Sequence, residues 1–409
     1  MSPTPHPGAW TCIFLPFALG YYLSYLLRTV NAVISPDLTR ELSLSAADLG
    51  LLTSAYFLTF GLAQIPLGIA LDRFGPKRIN VVLLLIAAGG AVVFALGESR
   101  GELTLARGLI GLGVSACLMS GLKAFSLWFP PERQSSMTGF IMASGALGAL
   151  TAATPVEALL PFVGWRGVFW GIAAIAVVAA AYVAIVVPEA PHQSGGTTLR
   201  EAVAGLRGIF TSPDFLRFAG TALFFTGGFM ALQSLWAVPW LMEMDGLSRS
   251  GAAAYLVVLN LGMFTGQLAI GFFGTRLVRR GVRPVNLMQG GYCMVLLIEL
   301  AIVLGGGPSI LLWFAIGLLA AVNAQAYVAA ASCFPREAFG RVSTAINLMA
   351  FAGAFTVQWG MGLLLDGLAV AGYAAGAALT MAFGVLIAIQ CVAIVPLFLG
   401  ARRQGAHTN

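Results

Sequence analysis

Charge is what this chain has least of. Only 22 of its 409 residues are Lys or Arg and 16 are Asp or Glu, so charged side chains make up 9%, against about 25% in soluble domains. With 59% hydrophobic residues and a mean hydropathy of +0.89, this scarcity excludes a soluble globular protein and indicates a polytopic one embedded in a lipid bilayer. The net charge of +6 then bears on orientation, and no nucleic-acid partner is expected. Paired cysteines are lacking too. Cys12, Cys117, Cys293, Cys333 and Cys391 are scattered through apolar stretches with neither pairing nor metal spacing, and read as small apolar residues. "MSPTPHPGAW" has no basic n-region and no small-residue cleavage site after it, so no removable leader is expected. There is no nucleotide-binding loop and no grouping of nucleophile, base and metal ligands, so neither enzymatic activity nor a cofactor is expected.

What is present is a series of apolar runs. Crossing the hydrocarbon takes about 20 apolar residues of helix, and twelve runs qualify. Six lie at 10–35, 48–71, 79–97, 102–127, 137–162 and 166–188, and six at 217–243, 251–274, 284–305, 308–332, 342–366 and 371–399. Between the sixes runs one long polar stretch, "PEAPHQSGGTTLREAVAGLRGIFTSPDF", which suits a linker with a short amphipathic helix. The expected fold is all-α, with twelve transmembrane helices in two pseudo-symmetric six-helix bundles at 1–188 and 217–409, joined by a cytoplasmic linker at 189–216. If both termini are cytoplasmic, 15 of the 22 basic residues fall on that side and four (Arg40, Arg100, Arg166, Arg249) outside. This bias supports that topology in a cell inner membrane.

The halves repeat. "QIPLGIALDR" (64–73) aligns with "QLAIGFFGTR" (267–276) at an offset of 203, and "FPPERQSSMTG" (129–139) with "FPREAFGRVST" (334–344) at 205. Two matches at equivalent places point to a transporter built of repeats, with its site near the midplane where they meet.

"GIALDRFGPKR" (68–78) is the most specific motif. Gly68 removes a side chain where helices could approach closely, Asp72 and Arg73 end a span, Gly75-Pro76 turns the chain, and Lys77 and Arg78 hold the loop in the cytoplasm. The segment resembles the signature between spans two and three of the major facilitator superfamily, Gly-x3-Asp-Arg-x-Gly-x-Lys/Arg-Lys/Arg, at every position. The resemblance extends over the whole chain and implies rocking alternating access. It also implies that Gly68, Asp72, Arg73, Gly75, Lys77 and Arg78 form a cytoplasmic latch, with Asp72 near the start of span eleven. In the second half Thr275 replaces the acid, which argues against a second latch. "RGLIGLG" (107–113) resembles a shorter family pattern in span four. Arg107 could hydrogen-bond within its bundle, serve proton coupling, or snorkel outward. The Gly-Pro-x2-Gly-Gly of efflux members is absent; "GALGALTAATP" (145–155) stands there, with small residues suited to tight packing.

Arg28 sits mid-span in "YYLSYLLRTVNAVISPDL" (21–38), where a charge costs at least ~2.5–3.5 kcal/mol. At 100° per residue, Tyr21, Ser24, Arg28, Asn31 and Ser35 fall within an arc of about 80°. Arg28 thus belongs to a polar face, as a substrate contact or as an arginine paired inside its bundle. The spacing also resembles span one of the family's organic-anion transporters, with Leu27 in place of the usual acid.

Further polar candidates lie in the other spans that the resemblance makes cavity helices: four, seven, eight, ten and eleven. These are Lys123, the span-seven set Thr226, Gln233, Trp236 and Trp240, then Asn260, Gln267, Asn323, Gln325, Tyr327, Asn347 and Gln358. Each could bind a ligand or tie helices together. A straight span four would place Lys123 about 160° from Arg107, so only one could point inward. No acid lies within spans one, four, eight or ten; Glu157, Glu243 and Asp366 are near span ends, and Glu299 falls in span nine, peripheral in the family. His6, His192 and His407 lie outside the spans. The expected function is secondary transport of a small anion, first an organic carboxylate and otherwise an inorganic anion such as nitrate, by a monomer. Proton symport and exchange for a counter-anion both stay open. The alternatives are export of amphipathic drug-like compounds and a transporter-shaped nutrient sensor, though the tail "ARRQGAHTN" is short for an output domain.

Overall fold

In the computed structural model, residues 8, 10–189, 199–305, 309–335 and 338–405 are described, and all their regular structure is helical. His6, His192, His407, residues 190–198 of the polar stretch after span six and two residues of the second Phe-Pro-x-Glu lie outside them. Helix is the form that satisfies each backbone N–H and C=O within its own segment, which hydrocarbon requires.

Ten segments among the described residues are long and apolar enough to cross a membrane. One of them, Ala46–Leu96, turns at Gly75 (φ 77°, ψ 162°) and supplies both span two (46–74) and span three (76–96). Glycine is suited to this turn because its φ lies where a Cβ would clash. Span one is Leu15–Leu42. Span four is Arg100–Val114 followed by Cys117–Trp128, so it is interrupted, not straight. Span five is Pro131–Thr151, continued to residue 163 by the first part of the next helix, Thr154–Val186. Gly164 (φ 64°, ψ 173°) breaks that helix, and 165–186 is span six. Span five starts before its apolar run because proline is well placed at the first position of a helix. The linker holds the short helix Leu199–Phe210. Spans seven to twelve are Pro213–Glu243, Arg249–Arg279, Pro284–Val303, Ser309–Ala331, Phe339–Val370 and Ala375–Gly405.

The chain divides into two compact units, Met1–Leu44 with Ala55–Glu201, and Ser45–Ser54 with Ala202–Asn409. In the first unit spans one and five are in close contact. A Cβ built on Gly148 would stand 2.1 Å from the Tyr22 carbonyl oxygen, and one on Gly145 would stand 2.6 Å from the Tyr21 ring. The small residues of "GALGALTAATP" therefore serve packing against span one. Near the end of span one, Glu41 accepts hydrogen bonds from Trp165 Nε1 (2.7 Å) and from Arg166. In the second unit the same device joins spans eight and ten, where a Cβ on Gly317 would lie 2.0 Å from the Leu259 carbonyl oxygen. It also joins spans seven and eleven, where one on Gly353 would lie 1.9 Å from Leu223 O. Segment 45–54, grouped with this unit, has its first backbone N–H groups, Ala46 and Ala47, donated to the Asp366 carboxylate at 3.0 Å each. A carboxylate at a helix N-terminus meets both orphan donors and the positive end of the helix dipole.

Gly68 behaves differently. A Cβ added there meets nothing within 4 Å, so close helix approach is not what this glycine serves in the arrangement seen. Gly148→Ala is expected to lower the melting temperature in detergent, with an overpacking cost of about 1–3 kcal/mol, while Gly68→Ala leaves it unchanged. Equal melting of both variants and the parent would refute this account of the contact between spans one and five.

Candidate substrate site

The polar face of span one is buried along its length: Tyr21, Ser24, Arg28, Asn31 and Ser35 are each at most 6% exposed. Arg28 lies in an aromatic cradle within the first unit. Its guanidinium carbon stands 4.5 Å from the Tyr25 ring centroid and 5.5 Å from that of Phe60, and it hydrogen-bonds the Tyr56 side chain. Tyr56 in turn donates its hydroxyl to the Ser24 carbonyl at 3.1 Å. Ring faces attract a cation by ~0.5–2 kcal/mol each and leave its charge in place. The cradle thus orients the guanidinium and keeps it positive. The Tyr21 hydroxyl reaches Met142 Sδ at 3.6 Å.

Tyr25, Tyr56 and Phe60 were not among the expected site residues. Their signal was legible: Tyr25 precedes Arg28 by three residues, and Tyr56 and Phe60 are four apart, so each pair shares a helix face. That Tyr56 and Phe60 of span two face Arg28 required the fold.

Arg107 is fully buried and donates through Nη1 to the Leu27 carbonyl at 2.8 Å, with its guanidinium 5.1 Å from the Tyr56 ring centroid. This bond ties span four to span one. Lys123 donates to the Asp72 carboxylate at 2.8 Å, so its charge is engaged at the signature acid. Lys77 Nζ and Arg78 Nε lie 3.8 and 3.3 Å from Glu189, just after span six, and Arg73 stacks on the Phe74 ring at 5.2 Å. The signature loop is therefore held by charges of the first unit at both of its ends.

In the second unit the polar candidates largely meet one another. Gln233 Nε2 donates to Asn260 Oδ1 (2.6 Å), Ser234 to Gln358 Oε1 (3.1 Å), Trp236 Nε1 to the Gln358 carbonyl (3.1 Å), and the Tyr327 hydroxyl to Asn347 Oδ1 (3.0 Å). Gln267 is exposed and Asn323 half-buried. Span seven, which holds Gln233 and Trp236, contains two π-helical turns, Ala222–Thr226 and Leu232–Trp236. Such turns rotate the residues after them around the helix and recur at functional sites. Span ten has a comparable irregularity, a tight 3₁₀ turn at Ala321–Ala324 that includes Asn323.

The model of the Major Facilitator Superfamily matches residues 17–358. A probable sulfoacetate transporter of Cupriavidus necator is 26% identical over 183 residues, 45% of this chain and 43% of that one. A hexuronate transporter of Escherichia coli K12 is 31% identical over 160 residues, 39% of this chain and 37% of that one. The chain thus spans less than half the length of either relative. Among solved structures, a bacterial homolog of the human lysosomal transporter Spinster superposes with a TM-score of 0.74 over 95% of this chain and 96% of its own, at 21% identity; this likeness concerns the fold.

The Asp72–Lys123 pair is partly exposed, with side chains 50% and 26% accessible, so its coupling is expected to be modest. A double-mutant cycle with Asp72→Asn and Lys123→Gln, read by thermal unfolding in detergent, should give ~0.2–1 kcal/mol. Strict additivity of the two substitutions would show that the pair contributes nothing to the fold.

Proposed function

The chain belongs to the Major Facilitator Superfamily, and on that premise we propose that it is a secondary transporter of small organic carboxylates. It works by alternating access in a bacterial inner membrane, as a monomer with both termini in the cytoplasm. The observation that carries this reading is Arg28, a guanidinium buried on the polar face of span one and oriented by Tyr25, Tyr56 and Phe60. A cation kept at that depth is costly and is a functional residue by default, and a carboxylate is the anion whose two oxygens match its parallel N–H donors. Two relatives support the cargo class, since hexuronate and sulfoacetate, for which they are named, both carry a carboxylate. Asn31 and the neighbouring Tyr21 and Ser24 complete the polar surface beside Arg28. Asp72, with Arg73, Lys77 and Arg78, gates the cytoplasmic side. Coupling is by proton symport or by exchange for a counter-anion.

The test is uptake of radiolabelled D-glucuronate, with a panel of other carboxylates as competitors, into proteoliposomes containing the purified protein. Arg28→Lys keeps the charge but not the two parallel donors. It should weaken binding by ~10–150-fold, the equivalent of one charge-assisted hydrogen bond of ~1.5–3 kcal/mol. Arg28→Ala should abolish uptake while the protein stays monodisperse and keeps a cooperative melt. A folded Arg28→Ala variant with parental affinity would overturn the assignment.

A further inference from the structure

The second unit holds a carboxyl that the proposed anion site does not use. Glu299 lies on span nine, on the stripe Met288, Tyr292, Val295, Glu299; Met288 and Tyr292 are at most 1% exposed, so this face of the span points into the unit. It stands four residues before Val303, where the helix ends, about 6 Å of helical rise. Although the residue is half-buried, its Oε2 is sequestered from solvent and has no hydrogen-bond partner. It lines a small cavity together with Phe225 and Phe229 of span seven, Tyr292, and Ile316 and Asn323 of span ten. The Gln390 side chain of span twelve hydrogen-bonds its carboxylate, while Oε2 has no partner.

Several of the polar atoms gathered here lack partners. Asn323 Oδ1 is buried without a partner. Gln390 donates its Nε2 to the Phe224 carbonyl at 3.2 Å, which leaves its Oε1 buried and unpartnered as well. Three acceptor oxygens therefore share one region with the Tyr292 hydroxyl, which is also buried without a partner, and buried polar atoms left unpaired are costly. Among the described residues no cation pairs with this carboxylate. The other titratable groups on span nine and on the parts of spans ten and twelve packed against it are Tyr292, Cys293, Tyr327 and Cys391. Arg402 and Arg403 follow Gln390 by twelve or more residues, about 18 Å along the helix. On span seven, Asp214 and Arg217 form a pair of their own near its start. A single proton on Glu299 removes this uncompensated buried charge and gives Oε2 a hydrogen to donate to a neighbouring acceptor.

We propose that Glu299 is a proton-binding site, protonated in the arrangement seen here and emptied when transport admits water to its cavity. On release the Oε2–H bond breaks, its electron pair stays on the carboxylate, and the proton passes to water. Moving one proton with each singly charged carboxylate makes the transported pair neutral, so this assignment selects symport over exchange. It rests on the anion-transport reading for its consequence, but the protonation itself is measurable without any cargo.

The experiment compares the full-length parent, Glu299→Gln and Glu299→Asp. Glucuronate is followed in proteoliposomes in two modes: accumulation driven by an acid-outside pH gradient, and counterflow with no gradient. Protonated-carboxyl infrared absorption is recorded for the same samples. The parent should accumulate glucuronate at least ten-fold above its no-gradient level. Glu299→Gln, which mimics the protonated acid, should keep counterflow and lose that accumulation, and should lack an infrared band that the parent shows. Glu299→Asp should restore the band at a shifted frequency and part of the accumulation. Gradient-driven accumulation by Glu299→Gln at the parental level, counterflow by a parent that ignores the gradient, or identical carboxyl bands in parent and Glu299→Gln would each overturn the proposal. Should the parent move no glucuronate in either mode, the cargo reading fails and the infrared comparison still decides on Glu299. Should Glu299→Gln not fold, Glu299→Asp decides: an unshifted band would overturn the assignment.

Discussion

A bilayer core offers no hydrogen-bond partner, so each polar side chain within the spans must find one inside the protein. In the first unit much of that demand converges on Tyr56. Its hydroxyl donates to the Ser24 carbonyl and meets Arg28, and its ring lies 5.1 Å from the Arg107 guanidinium. One phenol thus serves two buried arginines, one tied to a backbone carbonyl and one on the polar face of span one. Serine and threonine follow the same rule locally. Thr29, Ser35 and Thr53 return their hydroxyls to carbonyls three or four residues earlier, at 2.9 Å each, which lets a polar residue sit in an apolar helix at little cost.

Close approach of helices is the second consequence of life without a hydrophobic driving force between spans. Gly148 against Tyr22 in one unit, and Gly317 against Leu259 and Gly353 against Leu223 in the other, let backbones come nearer than a Cβ allows. These contacts set where polar side chains fall. Gly353 on span eleven lies five residues before Gln358, which accepts from Ser234 and, through its carbonyl, from Trp236. The seating of span seven on span eleven and the polar ties between them are one arrangement.

The charges of the two units are complementary in kind. The first unit buries permanently charged guanidiniums, which cannot be neutralised by losing a proton at any physiological pH. The second buries a carboxyl, which is neutralised by gaining one. A carrier of anions requires a cation that persists. A carrier that couples to protons requires a group whose charge can be switched. In the proposed mechanism the buried arginine would meet the first requirement and the buried glutamate the second.

Hydropathy and spacing were enough for much of the architecture. The spans were legible because crossing hydrocarbon leaves a long apolar run. Gly75-Pro76 announced its turn, which the structure makes with φ 77° at Gly75. Arg28 stood out because a charge in such a run is rare enough to need a reason. Pairing, by contrast, was not legible. Nothing local says that Lys123 meets Asp72 across 51 residues or that Gln233 meets Asn260 across 27, because an interrupted span four and a π-turned span seven change which way their side chains face. Glu299 read as a peripheral acid from the family resemblance, and only the packing of spans seven, ten and twelve around span nine showed its Oε2 to be buried without a partner. The one-dimensional pattern determined which residues must enter the membrane. Tertiary structure decided which partner each polar residue has there, because partners are chosen by the rotation and contact of separate helices, and no residue carries that information in its own neighbourhood.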